Sequence, residues 1–185
     1  MNKTKAEIVF QVGMVVQDVE KTIENLKTYF ELDEESIVIK STKEKAQQGI
    51  VTENKYNGVP VEFYIKTARL NFGGIDFEYI EPLCKEGGDP YSDWLNIHGQ
   101  GIHHINMKLE DRSVIDSIMA EKGIPPHVFS RTGDLELETY DFRDLFGFIA
   151  ELGDMVVGPM AETYYEEKNK NDVAERSSAV VERTL

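Results

Sequence analysis

Four side chains of metal-binding type, Gln11, Glu78, His104 and Glu151, fall inside stretches where apolar and polar residues alternate. Two carboxylates, one imidazole and one amide oxygen form an oxygen-rich, borderline-hard donor set. It suits one divalent ion, zinc foremost, with nickel, cobalt or manganese as alternatives, and leaves a position open for water or substrate. An open position is what a Lewis acid uses to take up negative charge on a substrate oxygen. The four residues are scattered over the chain and no short motif links them, so only the strands that carry them can bring them together.

Those strands are legible from their period. From Val9 to Val16 the residues alternate, with Val9, Gln11, Gly13 and Val15 on one face and Phe10, Val12, Met14 and Val16 on the other. The same rule puts Glu78 with Asp76 and Ile80, His104 with Ile102 and Asn106, and Glu151 with Ile149. Opposite them stand Phe77 and Tyr79, His103 and Ile105, and Phe148 and Leu152, which suit packing against helices. Each strand thus sends one metal-capable side chain to the face away from a helix-packed core.

Asp18 is placed to cap a helix whose apolar stripe is Val19, Ile23, Leu26 and Phe30. Strands are expected over Ser36–Lys40, Val61–Lys66 and Ile75–Ile80, with Asn57-Gly58 and Gly73-Gly74 as turns. That makes residues 1–86 a first βαβββ module. Residues 87–100 read as a linker that carries a short helix over Tyr91–Ile97. The pattern then restarts over 101–157: strand Ile102–Leu109, a helix capped by Asp111 or Ser113 and ended by Gly123, and strands Val128–Arg131, Leu135–Thr139 and Phe148–Leu152. Gln11 lies seven residues before Asp18 and His104 seven before Asp111, the register of an internal repeat. Residues 158–185 form a polar tail, with a helix expected over Met160–Lys168 and the segment from Asn169 onward expected to fray or, alternatively, to reach a second subunit in a homodimer. The class is α+β: two tandem βαβββ modules forming a concave mixed-sheet cleft.

At 185 residues the chain buries a real core without disulfides, and its one cysteine, Cys84, is expected to be a plain buried thiol in a reduced, cytoplasmic protein. A net charge of −14 repels phosphate backbones and anionic lipid, which argues against nucleic acid and membrane partners. It does not exclude an anionic small molecule, which needs only a few local cations. Lys40, Lys66, Arg69 and Arg131 are the candidates for that contact, for a carboxylate, a phosphate or a thiol-cofactor tail. His103 is expected on the helix side, where a buried imidazole needs a partner. His98 should end the middle helix, His127 should lie at the surface, and Trp94, Phe63, Tyr79 and Phe148 should be core. Gly99-x-Gly101 lacks the third glycine of a dinucleotide fingerprint and precedes a strand.

The order strand, Asp-capped helix, Glu78-x-x-Glu81-Pro82-Leu83, Asp93-Trp94-Leu95, His98-Gly99-x-Gly101-Ile102-His103-His104-Ile105 and Glu151-Leu152 resembles the vicinal oxygen chelate superfamily. That superfamily includes glyoxalase I, methylmalonyl-CoA epimerase, extradiol dioxygenases and bleomycin-resistance proteins. The resemblance runs over roughly Ala6–Gly153, and the stretch from the middle helix through the double histidine is most similar to the epimerases. It implies that Gln11, Glu78, His104 and Glu151 ligate the metal. The set Gln, Glu, His, Glu is the order of zinc-type glyoxalase I and departs from the epimerase set.

The implied activity is a metal-dependent lyase or isomerase of the glyoxalase I (lactoylglutathione lyase) type. A proton leaves a carbon next to a carbonyl of a small thiol conjugate, and the enediolate is stabilised by the metal. In it Glu151 is the proton-shuttling carboxylate, with Glu78 as ligand and second base. A methylmalonyl-CoA epimerase-like racemase acting on an acyl-CoA is the alternative, in which Glu62 matches a catalytic glutamate; Glu62 and Arg131 are the candidate substrate-binding residues. A non-catalytic drug- or toxin-sequestering protein is the third reading.

Overall fold

The computed structural model describes residues 3–50, 52–132, 135–152, 166–167 and 169–170. In chain order the elements are β1 (Ala6–Val15), α1 (Val19–Tyr29), β2 (Val38–Ser41), α2 (Thr42–Gln47), β3 (Thr52–Tyr56), β4 (Val59–Pro60), β5 (Ile65–Phe72), β6 (Ile75–Pro82) and α3 (Pro90–His98). They continue with β7 (Gly101–Leu109), α4 (Ser113–Glu121), β8 (Val128–Thr132), β9 (Leu135–Asp141), α5 (Arg143–Phe146) and β10 (Ile149–Glu151).

All ten strands form one mixed sheet in the order β2-β5-β6-β1-β7-β10-β9-β8-β3-β4. Reading outward from the centre, β1-β6-β5-β2 mirrors β7-β10-β9-β8, so the repeat of the sequence is a repeat of topology. In both halves the first strand pairs parallel with the fourth, and β1 meets β7 antiparallel at the centre. Each half lays one helix on its outer face. Val19 and Ile23 of α1 are buried with Ala68, Leu70 and Tyr79, and Met119 of α4 with Leu109, Tyr140 and Leu152. The helix α1 starts where expected, because the Asp18 carboxylate accepts the Lys21 amide at 2.8 Å.

A third cluster, Val15, Phe63, Ile80, Tyr91 and Val128, fills one end of the inner face beneath α3. Asp89 holds that helix in place: it is buried and accepts from the amides of Tyr91 and Ser92, each at 3.0 Å, and from the Ser92 hydroxyl at 2.5 Å. While the Ser92 hydroxyl keeps the Asp89 carbonyl, the Asp89→Ala variant leaves two buried backbone donors without an acceptor. It should lose roughly 2 kcal/mol of stability, read from the urea midpoint at unchanged slope.

Between β2 and β5 the chain departs from the expected pattern. Val61–Lys66 is not one strand: β4 ends at Pro60, and the next strand begins at Ile65. The intervening Phe63 turns inward, its ring 5.7 Å from that of Tyr91, so the segment crosses the inner face instead of joining the sheet. The inserted β3 runs across to the far half and pairs antiparallel with β8, from Thr52 opposite Thr132 to Tyr56 opposite Val128. Asn57-Gly58, with positive φ of 51° and 80°, then makes the two-residue turn into β4.

Two buried-or-exposed expectations reverse. Cys84 is exposed, because it follows the end of β6 in a loop. His127 is buried, closed in by the clasp of β3, whose Tyr56 ring packs at 5.2 Å. The helix expected over Met160–Lys168 and the tail role of 158–185 lie outside the described residues, except that 166–167 and 169–170 are helical. No helix among the described residues is long and apolar enough to cross a membrane.

Candidate metal centre

The sheet register brings the four candidate donors to the centre of the molecule. In one row Gln11 pairs with Asp76 on one side and Asn106 on the other, and Asn106 pairs in turn with Glu151. In the next row Gly13 lies between Glu78 and His104. The donors therefore surround the two short residues Gly13 and Asn106. At Gly13 the backbone is approached so closely that an added Cβ would sit 2.1 Å from Cε1 and 2.2 Å from Nε2 of His104.

His104 Nε2 lies 2.9 Å from Glu151 Oε2 and 3.9 Å from Glu78 Oε2. Nε2 and Oε2 of the closer pair are both buried, yet they are not aligned as a hydrogen bond and have no other partner among the described residues. The other Glu151 oxygen is occupied, accepting from Asn106 Nδ2 at 2.6 Å. Gln11 donates from Nε2 to Asp76 Oδ2 at 2.9 Å. A carboxylate accepts only, so the Gln11 carbonyl oxygen is the end left for a cation. Arg69 pins Asp76 from the far side through Nε and Nη2. Gln11, Glu78 and Glu151 line one cavity of about 160 Å³ together with Lys40, Lys45 and Arg69.

No family model and no curated protein matches the sequence. Solved structures do. The methylmalonyl-CoA epimerase from Mycobacterium tuberculosis superposes with a TM-score of 0.50 at 14% identity, over 83% of this chain and 91% of that one. A methylmalonyl-CoA epimerase in complex with methylmalonyl-CoA and ammonium gives 0.50 at 17% identity, over 84% of this chain and all of that one. A variant of the Streptomyces coelicolor epimerase in complex with 2-nitronate-propionyl-CoA gives the same TM-score, identity and 84% coverage. The chain shares the fold of these epimerases.

Within that fold the electrostatics of the donors are those of a place for a cation. Burial, then the charge of Glu151, pushes the Glu78 carboxyl up to about 7, against the pull of His104 and Arg69. Burial alone would depress His104, but the Glu151 carboxylate and then Glu78 outweigh it and raise the imidazole above its usual value. Two carboxylates crowd one imidazole, and two of the converging atoms are buried 2.9 Å apart with no partner among the described residues but each other. A divalent ion satisfies both conditions at once, so the donor set fits a metal.

The remaining candidates lie elsewhere. Glu62 accepts from the Tyr64 hydroxyl at 2.6 Å and lines a separate cavity with Phe63 and Ile50. Arg131 is exposed and paired with Glu136 and Glu53, and Lys66 is paired with Glu20. Asp18, Glu20 and Glu81 bring carboxylates within 4.8 Å of one another, but Asp18 and Glu81 cap the start of α1 and Glu20 holds Lys66.

Sequence reasoning did not assign roles to Asn106 or Asp76, although both share a face with the donors; Arg69, expected to meet an anionic molecule, lines the donor cavity but is paired with Asp76. His103 is buried against a helix, α3, and has a partner, as expected, but it lies on the same side as His104 and not on the opposite one. The register slips here: Gly13 pairs with His104, but Met14 pairs with Ile102. His103 is thus the extra residue of a β-bulge, which re-aims it so that its ring meets that of its neighbour.

Proposed function

We propose that this chain is a divalent-metal-dependent enzyme that removes a proton from a carbon next to a carbonyl and returns it nearby, a lyase or isomerase of the glyoxalase I type. The observation that supports the reading most is the convergence of His104 Nε2 and Glu151 Oε2, buried 2.9 Å apart and with no other partner among the described residues, beside Glu78 and Gln11. Gln11, Glu78, His104 and Glu151 would hold the ion. When bound, it supplies Lewis-acid stabilisation for negative charge developing on the substrate oxygen.

The residues divide the remaining work. Glu151 is held by Asn106 and keeps its place. Glu78, farther from His104, faces both the donor cavity and an adjoining one walled by Phe63, Ile80, Tyr91 and Leu137. Its proton affinity, near neutral, matches a base that must both take and release a proton at physiological pH. Geometry thus favours Glu78 over Glu151 as the shuttling carboxylate. The asparagine and aspartate contacts fix the orientation of Glu151 and Gln11.

A second reading is epimerisation of a 2-substituted acyl-CoA, favoured by the fold neighbours, which are methylmalonyl-CoA epimerases. It needs a proton donor on each side of the carbon, Glu78 and Glu151. Zinc-loaded protein assayed in heavy water separates the two. Conversion of a 2-oxoaldehyde–glutathione adduct supports the first, and deuterium entering the 2-position of methylmalonyl-CoA supports the second. In either case Glu78→Gln should lower kcat by about 100-fold or more. Fully metal-loaded protein that turns over neither class overturns both.

A further inference from the structure

Adjacent residues in a strand normally point to opposite faces. The bulge at His103 cancels that rule, and the two Nδ1 atoms of His103 and His104 come within 3.0 Å, with ring planes at 89°. His103 is 2% exposed and walled by Tyr91 and Trp94 of α3.

Two imidazole nitrogens at that distance share one proton: one ring donates and the other accepts. If His103 donates, a neutral His104 carries its own proton on Nε2, the atom that faces Glu78 and Glu151, and that nitrogen cannot bind a metal. If His104 donates, its Nε2 lone pair is aimed at the carboxylates. The contact therefore decides whether His104 is a ligand.

We propose that His103 is the positioning residue of the metal centre: its Nδ1 accepts the Nδ1 proton of His104 and sets His104 as an Nε2 ligand. The inference rests on the metal reading above. His103 then carries its proton on Nε2, which is buried and has no hydrogen-bond partner among the described residues. A residue present only for packing would not incur that cost, because a leucine fills an aromatic-lined space with no polar atom left over. Partners of this kind orient metal-bound imidazoles and strengthen them as ligands.

The test compares zinc affinity, by competition with a chromophoric chelator, across three variants whose folding is checked by circular dichroism. His103→Asn places an amide oxygen near the Nδ1 position and should bind zinc within about threefold of wild type. His103→Leu removes the acceptor and should weaken binding about 10- to 100-fold. His103→Gln carries its amide further out, near the Nε2 position, and should behave like His103→Leu, so it decides the matter if the leucine variant does not fold. Equal affinity in all folded variants overturns the proposal. Nitrogen NMR of the imidazoles in metal-free wild type gives an independent reading: a proton on His104 Nδ1 is expected, and a proton on Nε2 alone overturns it. Wild type that binds no metal yet shows the Nδ1 proton would overturn the metal reading and leave the histidine contact standing.

Discussion

Gly13→Ala should abolish metal binding in a protein that still folds. The glycine lies in mid-strand, paired on both sides, and is not among the residues with positive φ. Nothing in its backbone resists a side chain, and alanine in a strand would on its own add roughly 0.5–1 kcal/mol of stability. The obstacle is the His104 ring, which occupies the space a methyl group needs, with its three nearest atoms at 2.1, 2.2 and 2.7 Å. Two of those atoms are ring nitrogens. The imidazole must leave the position it shares with Glu78 and Glu151, and the centre loses a donor. Zinc affinity should fall by at least about 100-fold, beyond what the loss of an orienting partner brings. Thermal unfolding of the metal-free variant should stay cooperative. A Gly13→Ala protein that binds zinc like wild type would show that His104 is not a ligand in the position found.

The Glu78→Gln variant should be more stable than wild type without metal at alkaline pH, and less able to bind metal at any pH. The Glu78 carboxyl is raised from 4.5 to about 7 in the folded chain, so the folded state holds its proton more tightly than the unfolded state does. The destabilisation is absent below pH 4.5, grows as pH rises toward 7, and is complete above it. Its full size at pH 8 is on the order of 3 kcal/mol. Urea titrations of metal-free protein at pH 5 and pH 8 should show wild type losing stability between the two. Glutamine, which does not titrate, should flatten the change. Saturating zinc should reverse the wild-type loss, since the ion replaces the proton. Parallel pH profiles for wild type and Glu78→Gln would refute the assignment.

Much of this site was legible in the sequence because period-2 alternation reports which face a side chain takes. Gln11, Glu78 and Glu151 line one cavity, on the face that rule gives them, and the seven-residue offset from Gln11 to Asp18 and from His104 to Asp111 exposed the repeat. Alternation carries no information about register between strands. The face that His103 takes was missed for that reason, since a bulge exists only relative to a partner strand. The contacts of Asn106 with Glu151 and of Asp76 with Gln11 were hidden likewise, each joining strands more than forty residues apart. The inserted α2, β3 and β4 escaped because Thr52–Tyr56 is short and polar, without the alternating apolar face that marks a strand.

That insertion governs how the molecule can be made. On the ribosome β3 emerges about 70 residues before β8, its partner, which at ordinary elongation rates leaves it unpaired for on the order of ten seconds. The hazard of such a wait is pairing with a strand from another nascent chain. Thr-Glu-Asn-Lys-Tyr is poorly suited to that, being five residues long with both charges present. The two halves, alike in topology, are for the same reason not exchangeable cassettes: a gene cut at the linker would yield a first half with a strand lacking its template and a second half with a bare edge.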